Sequence, residues 1–266
     1  MSYLEAQFKM DLFNAMQSRP NGGKYSGRAL GNTQNISLWN AAKVHDFYSG
    51  IVTAYNIFFS NELALQDFAR LIICESMQES TGDYRLGVTP TISFSDHTSQ
   101  GIIQVTPGSV LLDYSQFGMP IIDVNGVMVL SPSTVQNADL SNPGLCTIIW
   151  AWYNKNSVLM GVSMNEWINR DLWHIPIGGV TQDYGNCMLT WLAGPHNDRW
   201  KDNAPFLDYY NRILDYAIGA GFFDKQTFDK LLGTKLSPPI IGVYSSSVAR
   251  AVDNRDTIVG LSYIKK

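Results

Sequence analysis

The sequence predicts a mainly helical domain with a minor β element (mainly α, or α+β with a small sheet), and three observations carry that prediction. Apolar residues recur at spacings of three and four over several long segments, the pattern of helices with one buried face. Between the helical segments, the stretch "MPIIDVNGVMVLSP" carries Asn125-Gly126, a hairpin turn signal. The 266 residues are 45% apolar and only 16% charged, which suits one large packed core and argues against disorder.

The elements follow in chain order. Residues 2–17 read as an amphipathic helix, followed by the Pro/Gly-rich loop "RPNGGKYSGRALGN". A second helical pattern covers roughly 38–57. Ser60 is a plausible N-cap with Glu62 in the first turn of a third helix, which runs to about Ser80. Its stripe is Leu65, Phe68, Ile72, Glu75 and Glu79, and Gly82 is a natural stop signal. Residues 87–107 look irregular or short-stranded. After the Asn125-Gly126 hairpin, helices are expected at 141–158, 163–170, 181–193, 204–219 and 225–232. There are no internal repeats and no low-complexity segments.

Composition excludes several function classes. The net charge is −4 and no long basic run occurs, which argues against binding nucleic acid by phosphate neutralisation. No stretch of about 18 apolar residues exists, so no membrane span is expected. The segment "MSYLEAQFKMDLF" carries acids and lacks the basic flank and apolar run of a signal peptide. Cys74, Cys146 and Cys187 lie in apolar segments and read best as buried thiols, with one pair plus a free thiol as the other option. No Cys/His spacing suggests zinc, His45, His97, His174 and His196 are scattered, and no cofactor is expected. Aromatics are plentiful, with seven Trp, thirteen Tyr and twelve Phe; most are expected in the core, though flat rings also cover the apolar faces of sugars.

The most informative stretch is "ICESMQESTGDYRLG", residues 73–87. Glu75 and Glu79 are four residues apart, about one helical turn, so both carboxyls continue an apolar stripe. A carboxyl among apolar side chains stays protonated near neutral pH, because desolvation disfavours the anion. That is what a general acid needs. Glu79 sits at the expected helix end and Glu75 one turn deeper. An ionised Glu75 would raise the proton affinity of Glu79 by like-charge repulsion. The plainer alternative is two acids on a solvated face.

Three blocks, in order, resemble the lysozyme superfamily, and within it the goose-type lysozyme and soluble lytic transglycosylase group. "QESTGDYRLG" looks like the family's Glu-Ser block, "SQGIIQVTP" like its Gly-Leu-Met-Gln block, and "MLTWLAGP" like its Ala-Tyr-Asn-Ala-Gly-Pro block. Asn142-Pro143 resembles the helix start that the family places between the last two. The likeness covers roughly residues 60–200 and leaves 1–59 and 201–266 as flanking extensions. The sequence departs from the pattern at Trp191-Leu192, where the family prefers Tyr-Asn, and by an insertion around 88–96.

The resemblance implies a lysozyme-like helical domain that cleaves a β-1,4-linked amino-sugar polymer, at the cell wall or outside the cell. A polysaccharide or oligosaccharide is the implied partner. Glu79 would be the catalytic acid, with Glu75 the second candidate. Asp96 would be the base of an inverting hydrolase, activating water across the cleft, with Asp83 another option and a local turn acid the plainer one. A lytic transglycosylase needs no such base, since the muramyl C6 hydroxyl attacks the anomeric carbon and one Glu serves as acid and then base. Ser80, Gly101, Ile102, Gln104 and Trp191 would line the sugar site. Chitin or chitosan as substrate, and a non-catalytic glycan-binding module, are the alternatives; a net charge of −4 fits a neutral or cationic polymer better than an anionic one.

Overall fold

A computed structural model describes residues 3–18, 23–28, 33–123, 125–156, 174–177, 180–183 and 203–232. The fold is mainly helical. Its helices are α1 (Glu5–Gln17), α2 (Ala41–Ala54), α3 (Leu65–Ser80), α4 (Leu112–Phe117), α5 (Pro143–Asn156), α6 (Asn203–Gly219) and α7 (Lys225–Leu232). Strands β1 (Ile121–Ile122) and β2 (Met128–Leu130) form one small antiparallel pair, and β3 (His174–Ile177) and β4 (Val180–Asp183) form another. Among the described residues no helix is long and apolar enough to cross a membrane.

Helix α3 lies at the centre. It packs against α1 on one side and α6 on another, while α2 packs along α5. The α2–α5 crossing is close because two glycines meet there. A Cβ on Gly50 would lie 2.2 Å from the Cα of Gly144, and one on Gly144 would lie 2.0 Å from the Asp46 carbonyl. The expected start of α5 is borne out in atomic detail. The Asn142 side chain accepts from the backbone N–H groups of Gly144 (2.9 Å) and Leu145 (3.0 Å), and Pro143 occupies the first turn, where its missing N–H costs nothing.

One apolar cluster joins all the long helices, drawing Phe8 from α1, Phe47 from α2, Phe68 and Ile72 from α3, Trp150 from α5 and Ile213 from α6. Phe59 stacks on Phe68 with centroids 4.8 Å apart. Burying each such side chain contributes on the order of 1.5–3 kcal/mol. The flanking segments therefore complete the core. Polar ties reinforce them: buried Asp11 of α1 accepts from the Arg70 Nε of α3 at 2.9 Å and from the Tyr3 hydroxyl at 2.9 Å. Buried Asp215 of α6 accepts from the backbone N–H groups of Tyr25 and Ser26, at 3.0 and 2.8 Å.

Several boundaries differ from expectation. The chain leaves α2 through a wide π turn, Tyr55–Phe59, and the Ser60 hydroxyl bonds back to the Asn56 carbonyl at 3.4 Å. Ser60 therefore closes the preceding segment. Helix α3 starts at Leu65 with Asp67, not Glu62, as its first-turn acid. Residues 180–183, partly expected to be helical, form β4 paired to β3; the rest of the helix expected at 181–193, and the whole of 163–170, lie outside the described residues. The hairpin is as expected: Gly126 has φ +84°, and Asp123 accepts from the backbone N–H groups of Asn125 and Val127, at 2.8 and 2.9 Å. Cys74 and Cys146 are buried free thiols, and burial pushes the Cys146 thiol up to about 12; Cys187 lies outside the described residues.

Candidate active site

The C-terminal end of α3 is built to stop sharply. Thr81 adopts a left-handed backbone (φ 52°), and its N–H bonds the Met77 carbonyl at 3.0 Å. Gly82 follows with φ +78°, as its type predicts. Glu79 and Ser80 are thus the last two residues of the helix, with Glu75 one turn inside it. Glu75 and Ser80 are buried and Glu79 is half-buried.

Ser80 carries the helix end onto the second block. Its hydroxyl contacts the Ile102 carbonyl at 2.8 Å and the Ser76 carbonyl at 3.0 Å. The turn that Ser80 grips is tight. Gln100 and Val105 pair antiparallel across it, with N–H to carbonyl distances of 2.9 and 2.8 Å in the two directions. Gly101 has φ +76°, and a Cβ there would lie 2.4 Å from the Leu140 carbonyl and 2.9 Å from Cys146 Sγ. Only glycine fits. Gln104 also has a positive φ (56°), and its amide nitrogen donates to the Gly101 carbonyl at 2.8 Å, while its amide oxygen has no partner among the described residues. Thr81 and Gln104 are the two non-glycine residues with positive φ among the described residues, and both flank this junction. Backbone strain of this kind gathers where a precise placement is over-determined by its surroundings.

The acid pair is completed by a residue that sequence reasoning missed. Tyr209, buried on α6, brings its hydroxyl oxygen within 2.6 Å of Glu75 Oε1 and 2.5 Å of Glu79 Oε1. Burial pushes the Tyr209 phenol well above its usual range, with both carboxyls adding to the effect, so the hydroxyl keeps its proton. Burial is also what raises the two acids. Glu75 is raised far above the ordinary carboxylate range, first by desolvation and then by the Glu79 charge, against the opposing influence of the Tyr209 hydroxyl and the Trp150 indole. Glu79 is raised to about 7 by desolvation, with the Tyr209 hydrogen bond and the Arg212 charge pulling the other way. The Glu79 charge thus acts on Glu75, and Glu75 is the more deeply buried of the two, so its anion is the worse solvated.

Asp96 lies in the irregular stretch before the Gly101 turn and serves its own loop. Its Oδ1 accepts from the Thr98 N–H at 2.7 Å, and its Oδ2 from the Gln100 amide at 3.0 Å. Those bonds, the Thr98 N–H first, hold its carboxyl below the ordinary range. Asp96 is thereby linked to the Gly101 turn through Gln100. Asp83 has a similar local task, accepting from the Arg85 N–H at 2.9 Å. Trp191 and the rest of the third block lie outside the described residues.

The structure thus brings Glu75, Glu79, Ser80, Gly101, Ile102 and Gln104 to one junction and adds Tyr209 with Arg212 nearby. Among the described residues, two surface depressions lie elsewhere. One of about 610 Å³ runs between residues 88–92 and 136–140, and one of about 310 Å³ lies between α2, α5 and the hairpin. Glu79 lines neither. The first abuts the Gly101 turn at Leu140, the residue whose carbonyl excludes a side chain from Gly101. No group of acidic, His and Cys side chains able to hold a metal ion occurs among the described residues.

Comparisons of the chain with protein families, curated proteins and solved structures gave no match.

Proposed function

We propose that the protein cleaves a β-1,4-linked amino-sugar polymer, with peptidoglycan the first candidate, and that Glu79 is its general acid. The observation that carries this reading is the state of Glu79. Its carboxyl is half-buried, holds its proton up to about pH 7, and is fixed through Oε1 by a buried tyrosine. Oε2 accepts no hydrogen bond from the described residues and is the atom to deliver the proton. An acid poised near the working pH combines a populated acidic form with a useful driving force for transfer.

In this reading the Glu79 Oε2 proton passes to the glycosidic oxygen as the bond to the anomeric carbon breaks. Charge develops on the sugar ring as the carboxylate forms beside it. The Tyr209 hydroxyl and Arg212 favour that carboxylate, so the step that creates the anion is assisted by groups already in place. The carboxylate then takes the proton of the attacking hydroxyl. Asp96 spends both oxygens on its own loop, which favours attack by the sugar's own C6 hydroxyl over attack by a water activated across a cleft.

The test is mass spectrometry of digests of peptidoglycan, chitin and chitosan by the purified protein and by E79Q. Anhydro-sugar ends from peptidoglycan, absent with E79Q, are the expected result. Reducing ends from chitooligosaccharides would move the substrate to chitin. No product from any of the three polymers would remove the enzyme reading and leave a glycan-binding module.

A further inference from the structure

The contacts of Tyr209 impose a proton count. A neutral phenol has one hydrogen to donate. Its oxygen nevertheless lies at hydrogen-bond distance from two carboxyl oxygens, 2.6 Å from Glu75 and 2.5 Å from Glu79. If both carboxyls were ionised, one of these contacts would be a lone pair facing a lone pair. The geometry is satisfied only when one carboxyl keeps its proton and donates it to the tyrosine oxygen. The phenol hydrogen then points to the other.

We infer that Glu75 is that donor: a neutral carboxylic acid whose O–H is given to the Tyr209 oxygen, so that the Tyr209 hydrogen is committed to Glu79 Oε1. The inference rests on Glu79 as the acid and adds how its carboxyl is held. Glu75 and Tyr209 are positioning residues, and neither exchanges a proton with substrate. The chain runs one way, from Glu75 O–H to Tyr209 O and from Tyr209 O–H to Glu79 Oε1. Each donation polarises the next bond. Glu79 therefore presents Oε2 alone to a sugar, in a fixed plane.

The surroundings support the direction. Glu75 is fully buried while Glu79 is half-buried, so the anion belongs on Glu79. On α3 the titratable neighbours of Glu75 are Arg70, Cys74 and Glu79. Arg70 is engaged by Asp11 of α1 at 2.9 Å, and Cys74 is a thiol that burial keeps protonated. From α6 come Tyr209 and Arg212, and from α5 the Trp150 indole. Arg212 lies 3.3 Å from Asp208, and its charge is felt at Glu79. No cation is paired with Glu75 among the described residues. An anion there would stand uncompensated, which is the costliest of the possible arrangements.

Infrared difference spectroscopy with carboxyl-labelled glutamate tests this without relying on turnover. The band of a neutral carboxylic acid is expected to persist at about pH 9 in the wild-type protein and in E79Q, and to be absent in E75Q. In the pH profile of kcat/KM, E75Q lowers the rate several-fold, because an amide donates less strongly, yet leaves the basic limb where it was. Y209F removes the hydrogen bond that favours the Glu79 anion and moves that limb to higher pH. A neutral-acid band that vanishes near neutrality would overturn the inference. So would an E75Q basic limb displaced to lower pH by about one unit, since that displacement means an anion was lost. A protein without glycan cleavage removes the proposed function but leaves the infrared result intact, so the two ideas fail separately. Near-ultraviolet circular dichroism checks that the aromatic packing of the fold survives in E75Q, E79Q and Y209F.

Discussion

The hydroxyl of Ser80 lies 2.8 Å from the carbonyl oxygen of Ile102, and this contact joins the end of the acid-bearing helix to the turn at Gly101. Two segments 22 residues apart in the chain meet through it. The first prediction tests that joint. S80A removes a buried hydrogen bond between elements and should cost about 1 kcal/mol of stability. Urea denaturation should show a lower midpoint with an unchanged slope. An unchanged midpoint would mean that the joint is held by packing alone.

Glu79 provides the second. E79Q should lower kcat by about 10²–10⁴-fold while the protein stays folded. Full activity in E79Q together with a dead E75Q would transfer the acid to Glu75. Activity untouched in both would place the site elsewhere.

The pH dependence of stability gives the third. Glu79 has its folded pKa raised from 4.5 to about 7, so between those values the native state holds more protons than the unfolded chain. Stability from this group is fully present below pH 4.5 and is lost as pH rises to about 7. Glu75, also raised from 4.5, adds to the same decline from that pH upward. In denaturation series at several pH values, E79Q and E75Q should each flatten the fall that begins near pH 4.5. A wild-type curve that rises across that window would contradict both assignments.

Asp96 is the subject of the fourth. D96N keeps one acceptor oxygen for the Thr98 N–H and loses the charge. Turnover should fall by less than about tenfold, since the loop and not the chemistry is disturbed. A loss as large as that of E79Q, with the loop intact by NMR shifts, would make Asp96 the base of a hydrolase.

A fifth prediction concerns Gly101. G101A would drive a methyl group to 2.4 Å from the Leu140 carbonyl at a backbone angle that alanine resists. Destabilisation of at least about 2–3 kcal/mol is expected, read as a fall in thermal midpoint. A neutral outcome would show that the 136–140 segment can move away.

Much of this was legible beforehand, for physical reasons that differ between elements. The stripe from Leu65 to Glu79 announced α3 because its apolar period matches the helix. Gly82 and Gly126 announced their turns because a positive φ is steric necessity. Asn142-Pro143 marked the start of α5 only through its likeness to a known helix start, and the capping amide of Asn142 supplies the physical reason. Ser60 misled because a serine before an apolar run is equally able to close the helix behind it, and the π turn at Tyr55–Phe59 decided the matter. The Glu75–Glu79 pair was visible, but the difference in depth between the two carboxyls was not, since that depends on what packs against α3. Tyr209 could not be found at all. It lies 130 residues from Glu79, in a helix whose apolar pattern signals only that it packs.

That distance bears on how the molecule could be divided. The motif-bearing stretch of residues 60–200 looks self-contained when read as text, yet the carboxyl of Glu79 meets the hydroxyl of Tyr209 from α6. A recombinant fragment ending near residue 200 would carry every recognisable block and lack the phenol that orients Glu79. Supplying α6 as a separate peptide would be a complementation assay, with activity restored only when the two pieces reassemble. The same logic limits grafting: a swap of the Glu-Ser segment between proteins transfers letters without transferring acidity, unless the distant helix travels with it.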